Sequence, residues 1–153
     1  MIAVGTSHVL LPRCQRDVTT SICADMAAMD EAISGADALV FGPVPLDPAY
    51  PVEVASWLRD SEARKIGLPA IVANGTAPPP DVAAIAAGVG RLDVALVNSN
   101  TVPSLADGHR YLDVPKSGAV ARQIVARDIL DWAEPRRHDP AKLAMFLREV
   151  ILR

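Results

Sequence analysis

The chain has 153 residues, half of them hydrophobic, a formal charge of −3 and a mean hydropathy of +0.22, which suits one domain with a real core. The acidic balance argues against a phosphate backbone or an anionic membrane as the main partner. An aromatic content of 4 % leaves no base-stacking platform for nucleic acid.

At the start, "MIAVGTSHVLLPRC" has no basic leader region and no long apolar stretch, so no secretory signal is expected. No segment approaches the ~18–20 apolar residues of a membrane helix. Cys14 and Cys23 lack CxxC spacing and a nearby histidine. They read as reduced thiols, which points to the cytoplasm.

In chain order, "IAVGTSHVLL" reads as a strand and "CADMAAMDEAISGA" (23–36) as a helix leading into "ALVFG" (38–42), a short apolar run of the kind buried on both faces. "YPVEVASWLRDSEARKIG" follows. It predicts a helix on Val52, Ala55, Trp57 and Leu58, with Gly67 as its stop. "PAIVAN" (69–74) is the next predicted strand, "PDVAAIAAGVG" (80–90) a helix closing on glycine, and "DVALVN" (93–98) a third buried strand. Within "AVARQIVARDIL" (119–130), a strand is expected around Gln123 to Ala126.

The last helix starts at Asp139-Pro140, an N-cap followed by proline at the first helical position. Leu143, Phe146, Leu147 and Val150 then share one face, widened by Met145 and Ile151. His138 stands beside this cap without a structural task, and Arg136 and Arg137 add positive charge.

The alternation of strand and helix predicts an α/β fold: a single doubly wound, mainly parallel sheet with helices on both faces, Rossmann-like. No internal repeat, low-complexity tract or linker divides the chain. "TAPPP" (76–80) is a stiff loop, so residues 1–153 are expected to form a single domain.

Ligands of open parallel sheets bind outside the carboxyl ends of the strands. The loops leaving those ends are "GPVPLDPAY", "NGTAPPP" and "NSNTVP". Asn74 and Asn98 occupy equivalent places on what are expected to be neighbouring strands. Their amides either hold a polar ligand or simply turn the strand ends. Asp47 and Tyr50 are the proton-transfer candidates near this site, and an exposed turn aspartate is the plainer account of Asp47. Phosphate-cradling GxGxxG and GxxxxGK[ST] patterns are absent, as are G-x-S-x-G and HExxH. His8, His109 and His138 lie on separate segments without metal-ligand spacing, so no metal site is expected from them.

The ordered set "ADALVFGP", "AIVANGTAPPPD", "DVALVNSNTVP", "ARQIVARDILD" and "RRHDPAKLA" resembles the C-terminal half of the 2-phospho-L-lactate transferase and gluconeogenesis-factor family, over roughly residues 36–150. By that resemblance Gly42, Pro43, Asn74 and Asn98 match positions lining the family's cleft, with Gly75 and Ser99 beside them as ligand-binding candidates. The enzyme members transfer a phospholactyl group from a guanosine-linked donor to a deazaflavin with magnesium. The gluconeogenesis factors bind a nucleotide sugar and influence cell-wall growth and carbon metabolism.

Two departures stand out. Gly42-Pro43 is followed by "VPLDPAY" without the family's small hydroxyl residues, and the glycine-rich N-terminal nucleotide loop has no counterpart. The resemblance therefore implies a homodimeric, regulatory binder of a nucleotide or nucleotide sugar, with magnesium entering only as the nucleotide's companion. The alternatives are a transferase completed by a partner or second copy, and a scaffold with a vestigial site.

Overall fold

In a computed structural model, the structure describes residues 30–31, 33–42, 52–73, 81–105, 108–115 and 118–152. Four parallel strands form the main sheet in the order β1-β2-β4-β6: β1 (Ala38–Phe41), β2 (Arg64–Gly67), β4 (Leu92–Asn98) and β6 (Ala121–Arg127). A separate ribbon pairs β3 (Val72–Ala73) antiparallel with β5 (Arg110–Tyr111). Three helices complete the named elements: α1 (Val52–Asp60), α2 (Val82–Val89) and α3 (Pro140–Leu152). Residues 30, 31, 33 and 34 are also helical, within the helix expected at 23–36. The strand expected at the start of the chain lies outside the described residues.

Two-residue periodicity divides the core between the sheet's faces. Leu39 and Phe41 of β1 and Ala95 and Val97 of β4 face one cluster, with Val54 and Leu58 of α1 and Val82, Ile85 and Val89 of α2. Val40, Ile66, Leu68, Val94 and Leu96 face the other, against Leu147 and Val150 of α3. Helices on both faces of a parallel sheet are the α/β architecture predicted.

Helix ends follow the expected chemistry. Asp81 caps α2 by accepting the Ala84 N–H at 2.8 Å. Gly90 closes that helix at φ +82°, donating its N–H to Ala86 O at 2.9 Å. Asp139 caps α3, its Oδ1 accepting from Ala141 and Lys142 at 2.8 and 3.0 Å.

Several boundaries and faces differ from expectation. The helix predicted to run to Gly67 ends at Asp60, and "RKIG" becomes the second strand of the sheet. Lys65 sits in that strand at 7 % exposure. It satisfies its ammonium on the Arg59 carbonyl, and its backbone N–H on Asp93 Oδ2 at 2.9 Å. Burial lowers the Lys65 pKa despite the opposing charges of Asp93 and Asp60. Gly67 lets β4 approach closely, since a Cβ there would sit 2.5 Å from Leu92 Cδ1. In α1 the buried pair is Val54 and Leu58, while Val52, the first residue of the helix, is exposed. Met145 is likewise exposed on α3 instead of widening its buried stripe.

"PAIVAN" does not supply a strand of the main sheet. After Gly67, the Leu68 N–H still bonds to Phe41 O, but Pro69 has no N–H with which to extend the ladder. The chain turns, Val72–Ala73 pairs with β5 instead, and Ile71 and Ala73 are buried.

Candidate functional site

Because β3 lies in the ribbon, the strand expected at 69–74 is not a neighbour of β4 in the main sheet. The neighbours of β4 are β2 and β6. Strand order advances in one direction from β1 to β6, so among the described residues the sheet has no reversal of the kind that opens a ligand crevice. The ribbon builds one instead. A cavity of about 220 Å³ lies at the carboxyl ends of β2 and β4, lined by Pro69–Ile71, Asp81–Ala83 at the start of α2, Val97-Asn98, Leu112-Asp113, Pro115 and Val120.

Most of that wall is apolar, with Asp81, Asn98 and Asp113 as its polar side chains. Asp81 commits one carboxylate oxygen to the Ala84 N–H. Leu112 fastens the ribbon by donating its N–H to Ile71 O at 2.9 Å, and the Tyr111 hydroxyl donates to Pro103 O at 2.7 Å. Burial raises the Tyr111 pKa and keeps the phenol a donor at neutral pH.

Of the predicted site residues, Asn98 reaches this cavity, but most of its amide is already engaged. Its Nδ2 donates to Asn100 O at 2.6 Å, while Oδ1 accepts from Asn100 N at 3.3 Å and Ile129 N at 3.4 Å. It turns the chain as it leaves β4, and one Nδ2 hydrogen remains for a ligand. Ser99 is exposed, its backbone N–H bonded to Arg127 O at 2.8 Å. Gly42 directly follows β1. Pro43, Asp47, Tyr50, Asn74, Gly75 and His8 lie outside the described residues, as do Cys14 and Cys23.

Beside the cavity, Asn100 and Asp128 join the loops after β4 and β6 to α3. Asp128 accepts from the Leu130 N–H at 3.2 Å and from Lys142 Nζ at 3.1 Å, and Lys142 also donates to Leu130 O at 2.9 Å. Burial alone would raise the Asp128 pKa. Hydrogen bonds from Lys142, Asn100 and Leu130, with the Lys142 charge, bring it below its ordinary value instead.

His138, expected to be idle, is shielded here. Its pKa falls to about 4 because burial disfavours the imidazolium, against a hydrogen bond to the Pro69 carbonyl that raises it. Arg136 and Arg137 both pair with Glu134, at 3.6 and 3.1 Å, so their charge is spent on a surface turn. His109 lies just before β5, apart from His138 in the chain, and no group of three or more metal-ligating side chains forms among the described residues. A magnesium ion usually takes one or two carboxylates plus substrate phosphates. Asp81 and Asp113 are the carboxylates that line this cavity.

Sequence reasoning missed Pro69, Leu112 and Asp113. Pro69 was legible as a break after glycine, but Leu112 and Asp113 depend on a ribbon that local pattern does not announce.

Fold and cavity together define an α/β protein with a parallel sheet, helices on both faces and a small crevice at the sheet's carboxyl end. No family model and no curated protein matches the sequence. Among solved structures the chain is similar to protein BH3568 from Bacillus halodurans, with a TM-score of 0.61 at 18 % identity over 92 % of this chain. The match covers 49 % of that protein, so this chain spans about half its length. At that identity the likeness is one of fold. Among the described residues no helix is long and apolar enough to cross a membrane.

Proposed function

We propose that the protein binds a nucleotide or nucleotide sugar at the carboxyl ends of β2 and β4, in a regulatory role. The cavity of about 220 Å³ carries this reading, because it stands where parallel sheets receive ligands and next to the first turn of a helix. Its volume is below the ~300–1,000 Å³ of sites that enclose a whole drug-sized ligand. It therefore holds one ring, sugar or base, with the remainder lying across the loops. Oxygens of Asp81 and Asp113 accept from hydroxyl or N–H groups of that ring, and the remaining Asn98 hydrogen donates. Magnesium arrives with the ligand's phosphates, and Asp81 and Asp113 are the side chains that would meet it.

Calorimetry with nucleoside diphosphates and their sugars, with and without magnesium, tests the reading. Ala83→Leu fills the lining at a position where a long side chain suits the helix. It is expected to weaken binding by about tenfold or more while the melting temperature holds. Absence of binding to the wild type at millimolar ligand leaves a scaffold as the function.

Self-association belongs to the same reading. Trp132 and Met145 are exposed large apolar side chains, at 58 % and 57 %, and a homodimer would cover such groups. Sedimentation at about tens of micromolar, the range of a moderate interface, is expected to show the dimer. A pure monomer removes it from the proposal.

A further inference from the structure

β6 is an edge of the main sheet. It pairs with β4 on one side, and among the described residues no strand pairs with the other. Arg127 O accepts the Ser99 N–H at 2.8 Å, so residue 127 turns its backbone groups toward β4. Backbone groups alternate along a strand, so those of Ile124 and Ala126 point away from β4. The Ala126 carbonyl has the matching contact, accepting from Arg127 Nη1 at 3.0 Å, and its second lone pair can take another donor. The strand has 7 residues and neither proline nor glycine to blunt it. Arg122 and Arg127 are the charges that restrict which strand can join it.

An apolar stripe lies beside this edge. The Arg127 guanidinium stands over the Phe146 ring at 5.7 Å and pairs with Glu149 at 3.7 Å, which sets that flank of α3 next to the end of β6. Met145, Glu149 and Leu152 follow at helical spacing. Met145 and Leu152 are 57 % and 55 % exposed.

We infer that a second copy of this chain joins β6 to β6 in antiparallel fashion, about a two-fold axis at Val125, so that one sheet runs through both copies. This rests on the self-association proposed above and gives it a surface. The register follows from the free backbone groups. With Val125 opposite the partner's Val125, Ile124 lies opposite the partner's Ala126, and these are the residues whose N–H and C=O point outward. Charge agrees with that register: Arg122 falls opposite the partner's Asp128 and Arg127 opposite the partner's Gln123, so like charges do not meet. A two-fold axis normal to the sheet keeps α3 on the same face in both copies. The Met145–Leu152 stripes then approach each other above the junction, whereas a lone peptide strand would leave them exposed.

The test uses the full chain with Cys14→Ser and Cys23→Ser, so that one thiol at a time is introduced. Opposed residues of a non-hydrogen-bonded antiparallel pair have Cα atoms ~4.5 Å apart, within disulfide range. Val125→Cys is therefore expected to give a disulfide-linked dimer under mild oxidation. Gln123→Cys is displaced from its partner's thiol by ~13 Å along the strand and is expected to stay unlinked. Ala126→Pro removes an outward N–H and blocks the edge without taking a bond from β4. In sedimentation it is expected to raise the dimer dissociation constant by about tenfold or more, and Met145→Glu to do the same from α3 with β6 untouched.

A wild type that sediments as a monomer at about tens of micromolar overturns self-association and this surface together. A wild-type dimer in which Val125→Cys does not link, or in which both cysteines link equally, keeps self-association and overturns the β6 surface. So does a dimer whose dissociation neither Ala126→Pro nor Met145→Glu changes. Should Ala126→Pro not fold, Met145→Glu and the two cysteines decide.

Discussion

The two ends of the sheet use polar side chains differently. At the amino end, Asp93 braces strands side by side: one carboxylate oxygen accepts the Lys65 N–H and the other pairs with Arg122 Nε at 3.4 Å. At the carboxyl end, Asn98, Asn100, Asp128 and Lys142 fasten loops to one another and to α3, and a cavity lies beside them. Bracing of the first kind secures register. Bracing of the second kind fixes the shape of an open space, which a sheet does not need for its own stability.

The comparison is broken most strongly by acid. His138 holds its neutral form in the fold, with a pKa of about 4 against an ordinary 6.5. Stability from this group is complete above about pH 6.5, lost progressively as the unfolded chain takes up a proton between 6.5 and 4, and constant below that. At about 1.4 kcal/mol per pH unit, this interval amounts to about 3 kcal/mol. Denaturant titrations across that range should show the loss in the wild type and not in His138→Leu.

At the amino end, Asp93→Ala leaves the backbone N–H of Lys65 without an acceptor and should cost about 1–3 kcal/mol. Ligand affinity, measured by calorimetry, should stay unchanged, because neither Asp93 nor Lys65 lines the cavity. Asp139→Ala removes the cap of α3 and should cost about 0.5–2 kcal/mol in denaturant melts. The smallest effect is expected from Arg122→Ala. The Arg122 side chain is 73 % exposed, and a surface ion pair contributes less than about 1 kcal/mol.

Much of this architecture was legible in the sequence. β1, β4 and the centre of β6 announce themselves as apolar runs, and Asp81, Gly90 and Asp139 mark helix ends by residue type alone. β2 was hidden because "RKIG" carries two cations and one β-branched residue. Its strand conformation comes from lying between β1 and β4, where the Arg59 carbonyl and Asp93 satisfy Lys65. "PAIVAN" misled for the opposite reason, since its apolar residues serve a cavity wall and a ribbon and not the main sheet. At the site, Asn98 was found by position, but its engagement with Asn100 and Ile129 was not foreseeable. The burial of His138 comes from packing that only the fold creates, and nothing local distinguishes it from its charged neighbours.

Gly67 carries a consequence for how this sequence can change. A methyl group added there meets Leu92 Cδ1 at 2.5 Å, inside a contact that is fully buried. The two positions therefore do not vary independently: Gly67→Ala is tolerated better once Leu92 has become smaller, and Leu92→Ala leaves a gap that a larger residue 67 partly fills. Among descendants of this chain the order of substitutions matters, with the side chain on β4 shrinking before the one on β2 can grow.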